Sequence, residues 1–248
     1  MSEYEELHKK VLAAFRQRFM KDGIPYPVPN GWNESQGEPD IKQTQTALVL
    51  ALYFNLCTED EKTGVADLLA SMIRENGTRL TTGFVGTPYL LHALSENGYT
   101  GLAYELLLQQ GCPSWLFSVK MGATTMWERW TSMNEDGTMN NARMNSFNHY
   151  AYGAVFDWIF GVCSGIKTVE SAPAYREVNI APNPCRELGF AKSEIDSRSG
   201  KIVSHWYYKG DDVYFEFDIP EGVIAHITLP NGYKEDVSGG RFHFVTKA

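Results

Sequence analysis

Near residue 168 the spacing of apolar side chains changes from a helical period to a strict alternation. Helices and strands bury their faces with different periods, so one continuous layer cannot accommodate both patterns. The expectation is a helical part over 1–168 followed by a small strand-built domain over 169–248, an α+β multidomain chain.

In the first part, Ser2 with Glu5 three residues on forms a capping box. Tyr4, Leu7, Val11, Leu12, Phe15 and Phe19 then make one helical stripe, stopped by Gly23 and Pro25. Residues 24–40 are rich in proline and glycine and read as a loop carrying Trp32, Asn33, Glu34 and Gln36. A helix over about 42–57 is apolar on nearly every side from Ala47 to Phe54, which predicts burial on several faces. Thr58 and Glu61 open another helix, with Val65, Leu68, Leu69, Met72 and Ile73 on one face. Further helices are predicted over 88–96, 102–110 and, as one long element, 146–164. In the second part, Val213, Phe215, Phe217 and Ile219 alternate with polar residues, as do Val223, Ala225, Ile227 and Leu229. Ile202–Tyr208 reads as a strand between turns at 197–200 and 209–211. Such short strands suggest a small antiparallel β-sandwich.

Composition narrows the function. Twenty-two basic against 30 acidic residues give a net charge of −8, which argues against nucleic acid or an anionic membrane surface as the main partner. The longest apolar run, Ala47–Phe54, is too short to cross a bilayer. No secretory leader is visible, and the 4 cysteines lie apart with no metal-type spacing, so neither a zinc site nor any other metal is expected. These features together point to a cytoplasmic protein.

Two clusters carry the candidate chemistry. In Trp127-Glu128-Arg129-Trp130 a carboxylate stands between two tryptophans. Aromatic walls suit proton transfer and stack on sugar faces, although a surface Glu-Arg pair beside two core tryptophans has the same sequence. In Asn145–Gly153, His149 reads either as a donor to a ligand hydroxyl or as a capping histidine. Thr81–Pro88 is a glycine-rich approach to a helix that matches no nucleotide fingerprint and reads as a tight turn. His205, His226 and His243 fall in predicted strands and read as structural.

Four ordered stretches, Gln43–Ala47, Leu80–Leu91, Ala123–Trp130 and Ser146–Trp158, resemble the C-terminal part of bacterial α-L-rhamnosidases of glycoside hydrolase family 78. The stretches 175–182, 194–197 and 200–206 resemble that family's C-terminal β-domain. The resemblance implies part of an (α/α)6 barrel followed by a small sandwich, and inverting hydrolysis of terminal α-L-rhamnosyl residues without a cofactor. It implies Glu128 as general base and His149 as a sugar contact, with Trp127, Arg129 and Trp130 as further substrate-binding candidates. The ligand implied is a rhamnose-containing oligosaccharide or glycoside.

The family's general acid sits in an Asp- and Arg-rich motif upstream of the base, and no such motif precedes Glu128 here. Glu34, Glu38 and Asp40 do not match it. The expectation is a chain that starts midway through the barrel and pairs with the missing half or with another copy. Two other readings stay open at this point. One is a non-catalytic carbohydrate-binding or assembly module; the other is a different (α/α)-barrel hydrolase that draws its acid from the 24–40 loop.

Overall fold

The computed structural model describes residues 2–26, 42–140 and 144–247, and the chain divides into two compact units, Met1–Ala154 and Val155–Ala248. The change of period at 168 thus falls inside the second unit. The candidate residues of the 24–40 loop that lie beyond Tyr26, namely Trp32, Asn33, Glu34, Gln36, Glu38 and Asp40, are outside the described residues.

The first unit is helical. Helix α1 (Glu3–Phe19) begins at the predicted capping box, with Ser2 N–H donating to Glu5 Oε2 at 2.8 Å. Strands β1 (Met20–Lys21) and β2 (Ile24–Pro25) form a short ribbon after it. Helix α2 (Gln45–Tyr53) packs on α3 (Glu59–Glu75) and α4 (Thr87–Glu96), and α4 packs on α5 (Thr100–Leu107). The all-round apolar character of α2 is explained by these neighbours on more than one side. Leu48, Leu69 and Leu90 are each 0% exposed, and each such burial contributes about 1.5–3 kcal/mol. The stripe of α1 behaves differently: the helix buries no residue fully, and Tyr4, Leu7 and Val11 are exposed. Its inner turn is tied to α3 by Arg16, which forks onto both Glu61 oxygens at 2.8 Å and onto Leu56 O at 2.8 Å.

Helix α6 (Trp115–Lys120), capped by Ser114, interrupts the irregular stretch before the predicted long helix. The predicted long helix over 146–164 is not one element. Residues 146–150 form no regular element, Ala151–Ala154 form a 3₁₀ turn, α7 covers only Val155–Trp158, and Ile159–Cys163 wind as a π-turn. Apolar periodicity does not distinguish these three windings.

In the second unit, strands β3 (Ile166–Thr168), β4 (Glu177–Ile180), β5 (Phe190–Ser197), β6 (Gly200–Lys209), β7 (Asp212–Thr228) and β8 (Lys234–Lys247) make one six-stranded sheet. The two alternating runs read as separate strands are a single 17-residue β7, with a bulge between Ile219 and Ile224. The sheet is also not wholly antiparallel. Strand β6 pairs with β7 from Asp212 to Asp218, and β4 runs parallel to β7 from Glu177/Ile224 to Ile180/Ile227. The physical reason is length: β7 outruns β6, and β4 satisfies the backbone groups that β6 does not reach, while β8 follows the opposite edge on both sides of the bulge. Gly165 opens β3 at φ +77°, and a Cβ there would lie 2.2 Å from the Ala181 carbonyl carbon, so glycine is required. Trp206 is fully buried, and its Nε1–H donates to Cys163 O at 2.8 Å.

Candidate active site

Two segments of the first unit hold the candidate residues side by side. The first, Thr124–Ser132, leaves α6 through Gly122 at φ +87°. The second, Asn145–Ala154, runs into the 3₁₀ turn. Glu128 N–H donates to Ser146 O at 2.9 Å, and His149 N–H donates to Met126 O at 2.8 Å. The Thr125 hydroxyl adds a bond to Phe147 O. Two residues 21 apart in sequence are therefore fixed on adjoining strands of backbone.

The Glu128 carboxylate is half-buried and accepts the Ser146 N–H on Oε2 at 2.7 Å. Among the described residues Oε1 has no hydrogen-bond partner. One oxygen thus orients the group while the other remains available to take a proton, which is the geometry a general base needs. Arg129 is exposed and its Nε–H donates to Met144 O. Its backbone N–H donates to Ser132 Oγ at 3.2 Å, and Asn145 Nδ2 reaches Ser132 O at 3.0 Å, closing the base of the loop. Burial pushes the Tyr152 phenol up in pKa, with Arg129 opposing and Glu128 adding to the shift. All three therefore share one electrostatic neighbourhood.

The tryptophans hold up the site more than they line it. Trp127 is 5% exposed and meets Phe147 edge-on at 5.1 Å. Trp130 is half-buried, stacked on Tyr152 at 3.8 Å and edge-on to Trp115 at 5.2 Å. Its Nε1–H donates to Thr82 O at 3.0 Å, which ties the loop to the Thr81–Pro88 turn. That turn is compact: Thr82 and Thr87 hydroxyls are bonded at 2.8 Å, and a Cβ on Gly86 would meet Thr46 Oγ1 at 2.8 Å. It delivers Phe84 onto the His149 ring, with centroids 4.6 Å apart and planes within 6°. His149 Nδ1 accepts Ala151 N–H at 3.3 Å, so the neutral imidazole carries its proton on Nε2. A cavity of about 570 Å³ is lined by Phe84, Pro88, His149, Tyr150, Ala151, Gly153 and Ala154. Of the sequence candidates, His149 faces this cavity, and Glu128, Trp127, Arg129 and Trp130 do not line it.

A family model described as the bacterial alpha-L-rhamnosidase 6 hairpin glycosidase domain matches residues 1–162, well over half of the chain. The chain belongs to the bacterial alpha-L-rhamnosidase family. The C-terminal domain of the same rhamnosidases matches residues 165–243. An alpha-L-rhamnosidase from Formosa agariphila is 36% identical over 242 residues, which is 98% of this chain and 24% of the relative. One from Alteromonas sp. (strain LOR) is 36% identical over 93% of this chain and 24% of its own length. Among solved structures, native alpha-L-rhamnosidase from Aspergillus terreus superposes with a TM-score of 0.87 at 33% identity, covering 98% of this chain and 27% of that one. The Streptomyces avermitilis alpha-L-rhamnosidase complexed with L-rhamnose gives 0.85 at 30% identity, covering 98% and 24%. The chain thus spans about a quarter of the length of the rhamnosidases it matches.

Within this rhamnosidase-family segment, sequence reasoning missed Ser146 as the Glu128 anchor and Phe84 and Tyr150 as cavity walls. Tyr150 stood next to His149 and was within reach of sequence logic. Phe84 lies 65 residues from His149 and carried no local signal that the two rings meet.

Proposed function

We propose that this chain supplies the base-bearing part of an inverting α-L-rhamnosidase active site acting on terminal α-L-rhamnosyl residues of a glycoside or oligosaccharide. The observation that carries the reading is the Glu128 carboxylate, held by Ser146 N–H through one oxygen and open on the other. In that role Glu128 takes a proton from the water that attacks the anomeric carbon, while a carboxylic acid on the other side protonates the departing oxygen. His149, with Nε2–H available in its neutral form, donates to a sugar hydroxyl. Trp127 and Trp130 exclude water behind the base, and Arg129 holds the loop closed through Met144 O. The bound L-rhamnose of the Streptomyces avermitilis relative supports rhamnose as the ligand class. The acid belongs to another segment, so partnership with the remainder of a barrel is part of the proposal.

The test is hydrolysis of an aryl α-L-rhamnoside by the chain alone and by the chain joined to an upstream barrel segment. The joined protein is expected to be active, and Glu128→Gln to lower its rate by roughly 10²–10⁴-fold while rhamnose still binds. Full activity in Glu128→Gln would overturn the base assignment. Rhamnose binding by a folded complex with no hydrolysis would leave a sugar-binding module instead.

A further inference from the structure

We infer that Asn145 is a positioning residue for the Glu128 carboxylate, its side-chain amide closing a ring of bonds that aims the Ser146 N–H at Oε2. The inference rests on the reading of Glu128 as general base and extends it to the group that holds the base still. Asn145 immediately precedes Ser146, whose N–H meets Glu128 Oε2 at 2.7 Å. Its Nδ2 donates to Ser132 O at 3.0 Å and to Asn140 O at 3.2 Å. Those two carbonyls stand at the neck of a hairpin, where Asn140 N–H also donates to Ser132 O at 3.1 Å and Met133 bridges to Met139. Ser132 is fully buried, and its hydroxyl accepts Arg129 N–H at 3.2 Å and donates to Arg129 O at 3.0 Å. Arg129 follows Glu128 directly, so the ring returns to the residue from which it began.

The ring fixes both ends of the carboxylate contact. Ser132 holds the backbone that carries Glu128, Asn145 holds the backbone that carries the Ser146 N–H, and Nδ2 joins the two. Serving two carbonyls from one point takes a short side chain with two N–H groups on a single atom, which asparagine has. Asn145 Oδ1 is buried and has no hydrogen-bond partner among the described residues, so the amide is not kept there by full satisfaction of its own polar atoms. An aspartate of the same outline would turn lone pairs toward both carbonyls and open the ring. Misplacing a reacting group by about 1 Å can cost about 10²-fold in rate, so a side chain that acts only through Glu128 still has leverage on the reaction.

The experiment measures kcat and KM on 4-nitrophenyl α-L-rhamnoside, with the chain joined to an upstream barrel segment. Asn145→Ala and Asn145→Asp are each expected to lower kcat about ten- to hundredfold while KM moves by less than about twofold. In a Glu128→Gln background the same substitutions should cost less than about twofold more, since they act through a group already removed. Equal losses in both backgrounds, or no loss in the parent, would overturn the positioning role alone. Full activity of Glu128→Gln, or no hydrolysis by the joined parent, would overturn the base reading and the positioning role with it. A second measurement, amide exchange in the chain alone, needs no activity. The parent's Ser146 N–H is expected to exchange at least about tenfold more slowly than a free amide, and faster again in whichever Asn145 variant keeps the parent's thermal melt. Exchange at the free rate in the parent, or unchanged protection in a folded Asn145 variant, would break the ring. Unfolding of both variants would make Asn145 a tie of the fold and would count against the role as well.

Discussion

The Glu128 side chain has a structural bond on one oxygen and its proposed proton-taking role on the other, and substitution separates them. A glutamine at 128 still accepts Ser146 N–H through its amide oxygen, so Glu128→Gln should change stability by well under 1 kcal/mol while removing the proposed base. Glu128→Ala leaves that N–H without its acceptor and should cost about 1–2 kcal/mol. Urea melts of both variants check this: equal midpoints would show that the bond contributes nothing to loop stability. At this scale the sequence marked the cluster but not which contacts each of its side chains makes. Trp127-Glu128-Arg129-Trp130 stood out because a charged pair between tryptophans is rare in any core. That Trp127 turns onto Phe147 and Trp130 onto Tyr152 depends on contacts 20 and 22 residues away, which no local spacing encodes.

Among the elements, Glu61 joins two of them. It is the third residue of α3, accepting Thr58 N–H at 2.7 Å, and it is the partner of Arg16 on α1. The Arg16 hydrogen bonds, then those from Thr58, hold its carboxyl down to about 2. A depressed carboxyl pKa stabilises the fold above the unfolded value of about 4.3 and loses that contribution as pH falls toward the folded value. Glu61→Gln should therefore lower the urea midpoint at neutral pH by about 1 kcal/mol equivalent after solvent screening, with the gap closing near pH 2. A gap independent of pH would show that the ion pair contributes nothing specific.

His226 gives the opposite sign in the sheet. Its Nδ1 faces Asp236 on β8 at 2.8 Å and its Nε2 faces Glu177 on β4 at 3.2 Å, which raises its pKa, Asp236 having the larger effect. A raised histidine pKa stabilises fully below the unfolded value of about 6.5, and the effect fades as pH rises through the folded value. His226→Gln should flatten the decline of thermal stability as pH rises above the unfolded value of about 6.5, as followed by circular dichroism. An unchanged slope would assign the decline elsewhere. Capping boxes, the α2 and α3 faces and the 197–200 and 209–211 turns were legible, because each is set by residues within one or two turns. The broken winding of 151–163 and the parallel β4 were not, since neither leaves a period of its own.

For the whole molecule, the net charge of −8 and a pI near 5.3 bear on association. Near neutral pH mutual repulsion opposes contact between the exposed apolar side chains of α1, Tyr4, Leu7 and Val11. Light scattering should rise as pH is lowered toward 5.3 and fall again below it. A flat profile would mean that these faces do not attract one another. Fold class was legible here from a single feature, the change of period, because burial enforces 3.6 on helices and 2 on strands over many residues at once. Completeness was not, since a helix face gives the same pattern whether its neighbour is in the same chain or not. The limited coverage of the rhamnosidase relatives addresses that point instead.

The long β7 has one more implication. On one side it is paired by β8 alone, from Asp212 to Ile219 and again from Ile224 to Thr228. A polypeptide cut before Lys234 would retain a strand bearing Val213, Phe215, Phe217, Val223, Ala225 and Ile227 with a row of unclaimed amides and carbonyls beside it. Such a strand is a template for addition by any other extended chain. In a nascent or proteolysed polypeptide, β8 is thus the guard against cross-β growth along the sheet's own spine.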